Sequence, residues 1–302
     1  MKKTFKTFLA ESQRLPHWPK TVEELEEAYT KVCINPDTGE VMMPIISETH
    51  RSNSIVFNDD VTVSLKYSGS DRVQIEDWML VGGYLPFPFK SVDLDIEVQR
   101  DCKLKSLQGL PQECKSISYG MFALDSSIKN LVGGPAKVSE SFAIHECGVE
   151  SLEGFPEMDD DCSIYLTTSS LKDFTKIPKV VRSISIGNSL HFTHEHFEFL
   201  PERAELIAFT GLKNLRSLHY LHKHVKSLKQ LGIFNTKITS SILGLALING
   251  LEQVDPEFFN PEDMSWRIED IEDIVDKYVG TGEVFDFQEA LEEAGHKELA
   301  KL

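Results

Sequence analysis

The fold is indicated by a phrase that the sequence repeats four times: LKSLQGLP (104–111), IKNLVGGP (128–135), VESLEGFP (149–156) and LKDFTKIP (171–178). Each copy has an apolar residue at its first and fourth positions and ends in proline. The same interval continues beyond these copies, because Pro88, Pro111, Pro135, Pro156, Pro178 and Pro201 are separated by 23, 24, 21, 22 and 23 residues. A fixed period of this length is the signature of a repeat protein, so we expect a solenoid.

Short runs that alternate apolar and other residues lie between the prolines, at residues 92–96, 142–144, 164–166, 184–186 and 231–233. This alternation predicts short β-strands. A unit of about 22 residues cannot bury its own apolar face, so neighbouring units must stack and share one core. We therefore expect Phe142, Ile164 and Ile184 to lie side by side on adjoining coils.

A small polar residue follows three of these strands, at Cys147, Ser169 and Thr236. The spacing around these residues resembles the leucine-rich repeat, whose core is LxLxx(N/C)xL. The resemblance covers residues 61–250 and implies an α+β/solenoid fold class: an irregular leucine-rich-repeat-like stack of short parallel strands with helical N- and C-terminal caps. We expect the three small polar side chains to point inward and to bond the backbone of the adjacent coil, since an unpaired buried group is costly.

Residues 12–60 are predicted to form an N-terminal helix-hairpin cap. Thr21 and Glu24 have the spacing of a capping box, and Leu25, Ala28, Tyr29 and Val32 continue a helical stripe. Residues 35–39 (NPDTG) predict a turn, followed by a strand at 41–46.

Residues 251–302 are predicted to form an acidic helical C-terminal cap. Ile268, Ile271, Val275 and Tyr278 form one stripe, and a last helix opens at Asp286 and stops at Gly295. The segment holds 16 acidic and 4 basic residues, a net of 4 − 16 = −12 out of −17 for the whole chain.

The charge and the cysteines limit the classes of function. A net charge of −17 disfavours binding to nucleic acid and to anionic membranes, because both need a basic face. The five cysteines are scattered and contain no CxxC pair, which is typical of reduced thiols in a cytoplasm. Since the N-terminus also lacks the apolar core of a secretory signal, we expect the chain to act in a cytoplasm.

The phrase SLxGxP, with short apolar strands after the proline, is similar to divergent repeat proteins of large tailed bacteriophages. The first eleven residues, MKKTFKTFLAE, resemble the capsid-targeting peptide of internal head proteins in such phages, in which a protease cuts after a short apolar-x-Glu sequence. Carried over to Leu9 and Glu11, this resemblance implies a cut before Ser12. The resemblance to phage repeat proteins implies a protein of the host cytoplasm. If residues 1–11 act as a targeting peptide, the protein is instead a component of the virion head. The alternative for residues 1–11 is an amphipathic turn against the cap.

Two rows of histidines are candidates for a metal-binding site. His191, His194 and His196 lie near Glu195 and Glu198, and His219, His222 and His224 follow about one coil later. Stacking could bring a zinc-binding set together, but no HExxH pattern is present and Lys223 lies within the second row. Ordinary surface histidines are the favoured interpretation, so we predict no metal and no cofactor.

The sequence therefore favours a non-enzymatic phage protein whose solenoid binds another protein, of phage or host. The candidate contacts are outward strand residues: Asp93, Asp95, Ser118, Tyr119, His145, Tyr165, Ser185 and Phe234. The first alternative is an internal virion protein that is packaged through residues 1–11 and delivered to the host. Weaker alternatives are a metal-dependent enzyme at the His194/His219 region and a C-terminal cap that mimics DNA.

Overall fold

A computed structural model describes residues 15–43, 55–66, 72–236, 238–255 and 271–301. The described chain is a mostly parallel-strand β-solenoid of about eight turns. The predicted processing site at Leu9, Glu11 and Ser12 lies outside the described residues, as does the part of the predicted strand at 41–46 that follows Met43. Val41 itself pairs with Ile34 in an antiparallel bridge.

One sheet contains the twelve strands of the described chain, and all pairs except β1–β2 are parallel. The bounds are β1 (Ile55–Phe57), β2 (Val63–Leu65), β3 (Arg72–Ile75), β4 (Phe89–Val98), β5 (Glu113–Tyr119), β6 (Lys137–His145), β7 (Glu157–Met158), β8 (Ser163–Thr167), β9 (Ser183–Gly187), β10 (Arg203–Thr210), β11 (Ser227–Phe234) and β12 (Gln253–Asp255). Along the sheet the order is β1-β2-β4-β5-β6-β8-β9-β10-β11-β12, with β3 on β4 and β7 on β6.

Helices lie mainly at the two ends of the solenoid. The described α-helices are α1 (Val22–Val32), α2 (Leu221–His224), α3 (Glu272–Tyr278) and α4 (Val284–Glu293). Short 3₁₀ helices span Asp77–Met79, His194–Phe199 and Leu243–Leu247. The predicted N-cap of α1 is present, because the hydroxyl of Thr21 accepts from the backbone N–H of Glu24 at 3.2 Å. The last helix begins two residues before the predicted Asp286.

The core consists of two ladders of buried side chains that run through the stacked strands. The first ladder pairs Val73, Ile96, Ile117, Phe142, Ile164, Ile184, Ile207, Leu231 and Val254. The predicted neighbours Phe142, Ile164 and Ile184 are thus confirmed, and each is at most 1% exposed. The second ladder contains Ile75, Val98, Tyr119, Ile144, Leu166, Ile186, Phe209 and Ile233. Each coil therefore completes the interior of the next one.

The repeat phrase forms the return segment of each coil, the part that leads from one strand back to the next. The fourth residue of each phrase is buried in the shared core, at Leu107, Leu131, Leu152 and Phe174. Backbone bonds join the returns of adjacent coils, as from the N–H of Leu131 to the carbonyl of Glu153 at 2.7 Å. Proline suits the end of the phrase because it has no N–H to leave unpaired.

The corner after the strands differs in part from the expected pattern. Cys147 is buried and its thiol donates to the carbonyl of Gly120 at 3.3 Å, as predicted. Ser169 is only half-buried, and Thr168 takes the inward place instead, donating to the carbonyl of Cys147 at 2.5 Å. The hydroxyl of Thr236 is buried without a hydrogen-bond partner among the described residues, so the expected bond is absent there.

Candidate docking face on the outer side of the sheet

The side chains that alternate with the two buried ladders point to the outer side of the sheet. On β6, β8, β9, β10 and β11 these positions form a continuous array of fifteen residues, which we call the uncharged face: Ser141, Ala143, His145, Ser163, Tyr165, Thr167, Ser183, Ser185, Gly187, Leu206, Ala208, Thr210, Gln230, Gly232 and Phe234. The array contains no Asp, Glu, Lys or Arg. At the 26% charged content of the whole chain, about four would be expected among fifteen residues.

Tyr165 and Phe234 are the two large aromatic residues of this face. Tyr165 is 42% exposed, and its direct neighbours on the flanking strands are Ala143 and Ser185. Phe234 is 40% exposed and leans back over its own strand, because a Cβ placed on Gly232 would lie 3.4 Å from its Cε2 atom. The face therefore carries two large rings on strands that are paired with their neighbours in one sheet.

The hydroxyl groups on this face are ordered by their neighbours. Ser183 Oγ donates to Ser163 Oγ at 2.9 Å, and Arg182 Nη2 donates to the same Ser163 oxygen at 3.0 Å. Arg182 itself precedes the array and lies on its margin. Since these bonds fix both serines, the part of the face at the N-terminal ends of β8 and β9, next to Tyr165, is preorganised.

Charged residues form a rim along the N-terminal ends of the same strands. Glu140 precedes the uncharged face on β6 and pairs with Lys115 at 3.1 Å, whereas Lys229 precedes it on β11 and pairs with Glu205 at 2.8 Å. The hydrogen bond and the charge of Lys229 lower the pKa of Glu205, so this carboxylate stays ionised at neutral pH. An uncharged centre with a polar rim is the usual anatomy of a protein interface.

The outer side of β4 is charged instead, whereas the outer positions Ser116 and Ser118 of β5 are uncharged and adjoin Ser141 and Ala143 of the face. Asp93 and Asp95 are exposed on β4, as predicted. Lys115 on β5 lies close to them, and its pKa is raised first by its hydrogen bond to Glu140, then by the charges of Glu140, Asp95 and Asp93. The outer side of the sheet is thus divided into a charged part and the uncharged face.

The placement of one predicted contact residue is wrong. Tyr119 is fully buried and belongs to the second ladder, 6.0 Å from the ring centre of Phe142. Strict alternation puts it on the same side of β5 as Ile117, which is buried, and on the side opposite to Ser118. His145, Tyr165, Ser185 and Phe234 lie on the uncharged face; the residues that sequence reasoning missed there are its small members, such as Ala143 and Ala208.

The two histidine rows do not converge on a metal. His196 packs on the core ring of Phe192 and its Nδ1 accepts from the N–H of Thr193 at 3.1 Å. His222 Nδ1 bonds the carbonyl of His219 at 2.7 Å. Within the described part of the chain, no three His, Cys, Asp or Glu side chains are arranged to hold a metal ion.

An open pocket of about 340 Å³ lies between the 3₁₀ helix His194–Phe199 and α2. It is lined by His194, Glu195, Glu198, Tyr220, Lys223 and His224. The ammonium of Lys223 lies 4.2 Å from the ring centre of Tyr220, so a cation of the protein already covers that ring. Burial is the main cause that lowers the pKa of His224, and the nearby lysines act in the same direction.

The cysteines lack the character of nucleophiles. All five are buried free thiols, and burial raises the pKa of Cys33, Cys102 and Cys114 to about 12. Thiolate is the reactive form, so these side chains are unreactive near neutral pH.

Among the described helices, none is both long and apolar enough to cross a bilayer. Comparison with protein-family models, curated proteins and solved structures finds no match to this chain.

Proposed function

We propose that this chain is a non-enzymatic protein that docks another protein on its uncharged face. The observation that carries the proposal is the absence of Asp, Glu, Lys and Arg from fifteen contiguous outer positions of a chain with a net charge of −17. Depletion of charge at the centre, with charge at the rim, distinguishes protein interfaces from ordinary surface. The proposal needs no cofactor and no metal.

Tyr165 and Phe234 are the residues that anchor the partner. Interface energy is concentrated in a few aromatic or arginine side chains that lie among small or neutral neighbours. Both rings are about two-fifths exposed and are held by the paired strands beneath them. Little conformational entropy is therefore lost when a partner covers them.

The proposal also includes the type of solenoid, the origin of the protein and its place of action. The buried ladders and the phrase-containing returns support a solenoid of the leucine-rich-repeat type, with α1 at one end and α3 and α4 at the other as its caps. The SLxGxP phrase supports an origin in a large tailed phage, with action in the host cytoplasm. The sequence of residues 1–11 favours one alternative, an internal protein of the virion head.

Site-specific photocrosslinking tests the docking proposal. A benzophenone amino acid replaces Tyr165 in one variant and Gln108, an exposed residue of a return segment, in a matched control. We expect irradiation in bacterial cells to join the chain to a second polypeptide from position 165 and not from position 108. A chain that crosslinks equally from both positions, or from neither, would refute the docking face.

A further inference from the structure

We propose that Asn249 is a modification site, at which the side-chain amide is converted to a carboxylate without an enzyme. The backbone nitrogen of Gly250 is the nucleophile, and water is the co-reactant. The product loosens the contact between the last coil of the solenoid and the helices α3 and α4. This inference goes beyond the docking proposal and does not depend on the uncharged face.

The sequence around Asn249 is the one that favours this reaction most. Asn249 is the only asparagine of the chain that precedes a glycine. The other eight precede Pro, Ser, Asp, Leu or Thr. A side chain on the following residue hinders the approach of its nitrogen to the asparagine amide, and proline has no N–H to lose. Glycine has no side chain, so its nitrogen reaches the amide most easily.

Asn249 and Gly250 lie at the centre of a tight turn between the last 3₁₀ helix and β12. The N–H of Leu251 donates to the carbonyl of Ile248 at 3.3 Å and closes this turn. Gly250 has a φ of +77°, as the third residue of a type II turn does. Both central residues are exposed, so water reaches the amide and the backbone nitrogen.

Neither reacting group is held by another bond. The N–H of Gly250 donates to no acceptor among the described residues, because the bond that closes the turn uses the N–H of Leu251. The side-chain amide of Asn249 likewise makes no hydrogen bond with the described part of the chain. A Cβ placed on Gly250 would meet no atom closer than 3.7 Å, so the turn is open around the nucleophile.

The conversion has two steps. The Gly250 nitrogen loses its proton to solvent base and attacks Cγ of Asn249. The N–Cγ bond forms, the Cγ–Nδ2 bond breaks, and ammonia leaves with a proton from solvent. Water then opens the resulting cyclic imide. Addition at Cγ gives aspartate, and addition at the main-chain carbonyl gives isoaspartate, whose peptide link runs through Cβ and Cγ. Overall, one water is consumed and one ammonia is released.

The charge of the surrounding segment favours the attack. Residues 206–251 contain six Lys and Arg residues and no Asp or Glu, in a chain with 48 acidic residues. The deprotonated nitrogen and the oxyanion that forms at Cγ both carry negative charge, which nearby cations stabilise. The same cations accommodate the carboxylate of the product, so the new charge alone should disturb the fold little.

The extra backbone atom of isoaspartate is what disturbs the fold. The two ends of the turn support Gly280, which lies between α3 and α4: a Cβ there would come within 2.5 Å of the Leu251 oxygen and 3.4 Å of the Ile248 oxygen. The carbonyl of Asn249 accepts from the N–H of Leu228 on β11 at 3.2 Å. A methylene group added to the main chain at this point must shift these contacts, because close-packed groups leave no room for it.

Peptide mapping by mass spectrometry tests the site. The purified, folded chain is incubated at neutral pH, and the conversion of each asparagine to a carboxylate is followed with time. We expect Asn249 to convert several-fold faster than Asn188, which is also exposed but precedes a serine. The rate should rise with pH, since the nucleophile is the deprotonated nitrogen. A methyltransferase that labels only isoaspartate should label the product.

Asn249→Gln is the matched control for this experiment. Its longer side chain would have to close a larger ring, so we expect the modification at position 249 to be lost. If Asn249 converts no faster than Asn188, or if its rate does not depend on pH, the proposed site is refuted.

Hydrogen exchange tests the structural consequence. Chains that contain isoaspartate are separated from unmodified chains, and we expect their amides in α3 and α4 to exchange several-fold faster, with β8 and β9 unchanged. Asn249→Asp carries the new charge without the added methylene group and should exchange like the wild type. If the isoaspartate chain and Asn249→Asp exchange alike in α3 and α4, the loosening is refuted. The crosslink from position 165 tests the docking proposal separately.

Discussion

Gly154 lies so close to the preceding coil that a Cβ atom on it would come within 2.5 Å of the carbonyl carbon of Leu131. Its φ of +82° also lies in the left-handed region, which residues with a side chain rarely adopt. We expect Gly154→Ala to lower the free energy of unfolding by about 2–4 kcal/mol, the sum of backbone strain and overpacking. Urea denaturation measures this loss.

Gly82 provides the control for that substitution. It has a φ of +64°, but a Cβ on it would meet no atom within 4 Å. Gly82→Ala should therefore cost only the backbone term, about 1 kcal/mol. If the two variants unfold at the same urea concentration, the coils do not lie as close together at Gly154 as the structure shows.

Leu152 and Glu153 are adjacent residues with opposite environments. Leu152 is fully buried in the shared core, whereas Glu153 is exposed and accepts a hydrogen bond from Asn130 at 3.2 Å. Leu152→Asp buries a charge without a partner, and we expect it to unfold the central coils. Glu153→Lys should change the thermal midpoint little. Equal midpoints in a circular dichroism melt would contradict the register.

The periodic part of this fold could be predicted from the sequence because every stacked coil needs apolar residues at the same positions. Phe142, Ile164 and Ile184 recur at the position where each coil must fill its neighbour's interior, and the structure aligns them. The corners could not be predicted in the same way. Glu146 and Asn188 turn the chain with positive φ, but Thr168, at the same place, does not. Whether the corner residue adopts a positive φ depends on local backbone geometry, which the repeat pattern does not encode. The pattern therefore predicts Ser169 as the inward residue, whereas the structure has Thr168 there.

The candidate site was predictable only in part. The exposed rings of Tyr165 and Phe234 follow from alternation within single strands. The uncharged face needs the register between strands, which places Ala143, Ser185 and Ala208 in one row with Tyr165. Small residues carry no chemical signal by themselves, so only the stacked register reveals them as a surface.

The histidine pocket leads to a prediction about zinc. His194 and His224 line one pocket with Glu198, but Lys223 lies there too and repels a cation. We expect elemental analysis of the purified, untagged chain to find well under one zinc per chain. One tightly bound zinc that is lost in His194→Ala would contradict this and would revive the hypothesis of a metal-dependent enzyme.

The resemblance of residues 1–11 to a capsid-targeting peptide predicts a cut between Glu11 and Ser12. If the chain is packaged, mass spectrometry of purified virions should find a mature chain that begins at Ser12. Glu11→Gln removes the carboxylate at the cut and should leave the full-length chain in the particles. Complete absence of the chain from virions would exclude the internal head protein and leave the host cytoplasm as its place of action.

Glu150 joins three coils through charge, since its two oxygens accept from Lys129 at 3.0 Å and from Lys172 at 2.7 Å. The hydrogen bond from Lys172, followed by that from Lys129 and by both charges, lowers the pKa of Glu150 from 4.5 to about 2. A pKa that is lower in the folded state favours folding above the unfolded value, and this contribution is lost as the pH falls toward the folded value. Glu150→Gln should therefore lower the thermal midpoint at neutral pH by a small amount that salt reduces, because the pair is exposed. The difference from the wild type should shrink between pH 4.5 and about 2, where the carboxylate is protonated. A difference that is constant across this range would show that the ion pairs do not link the coils.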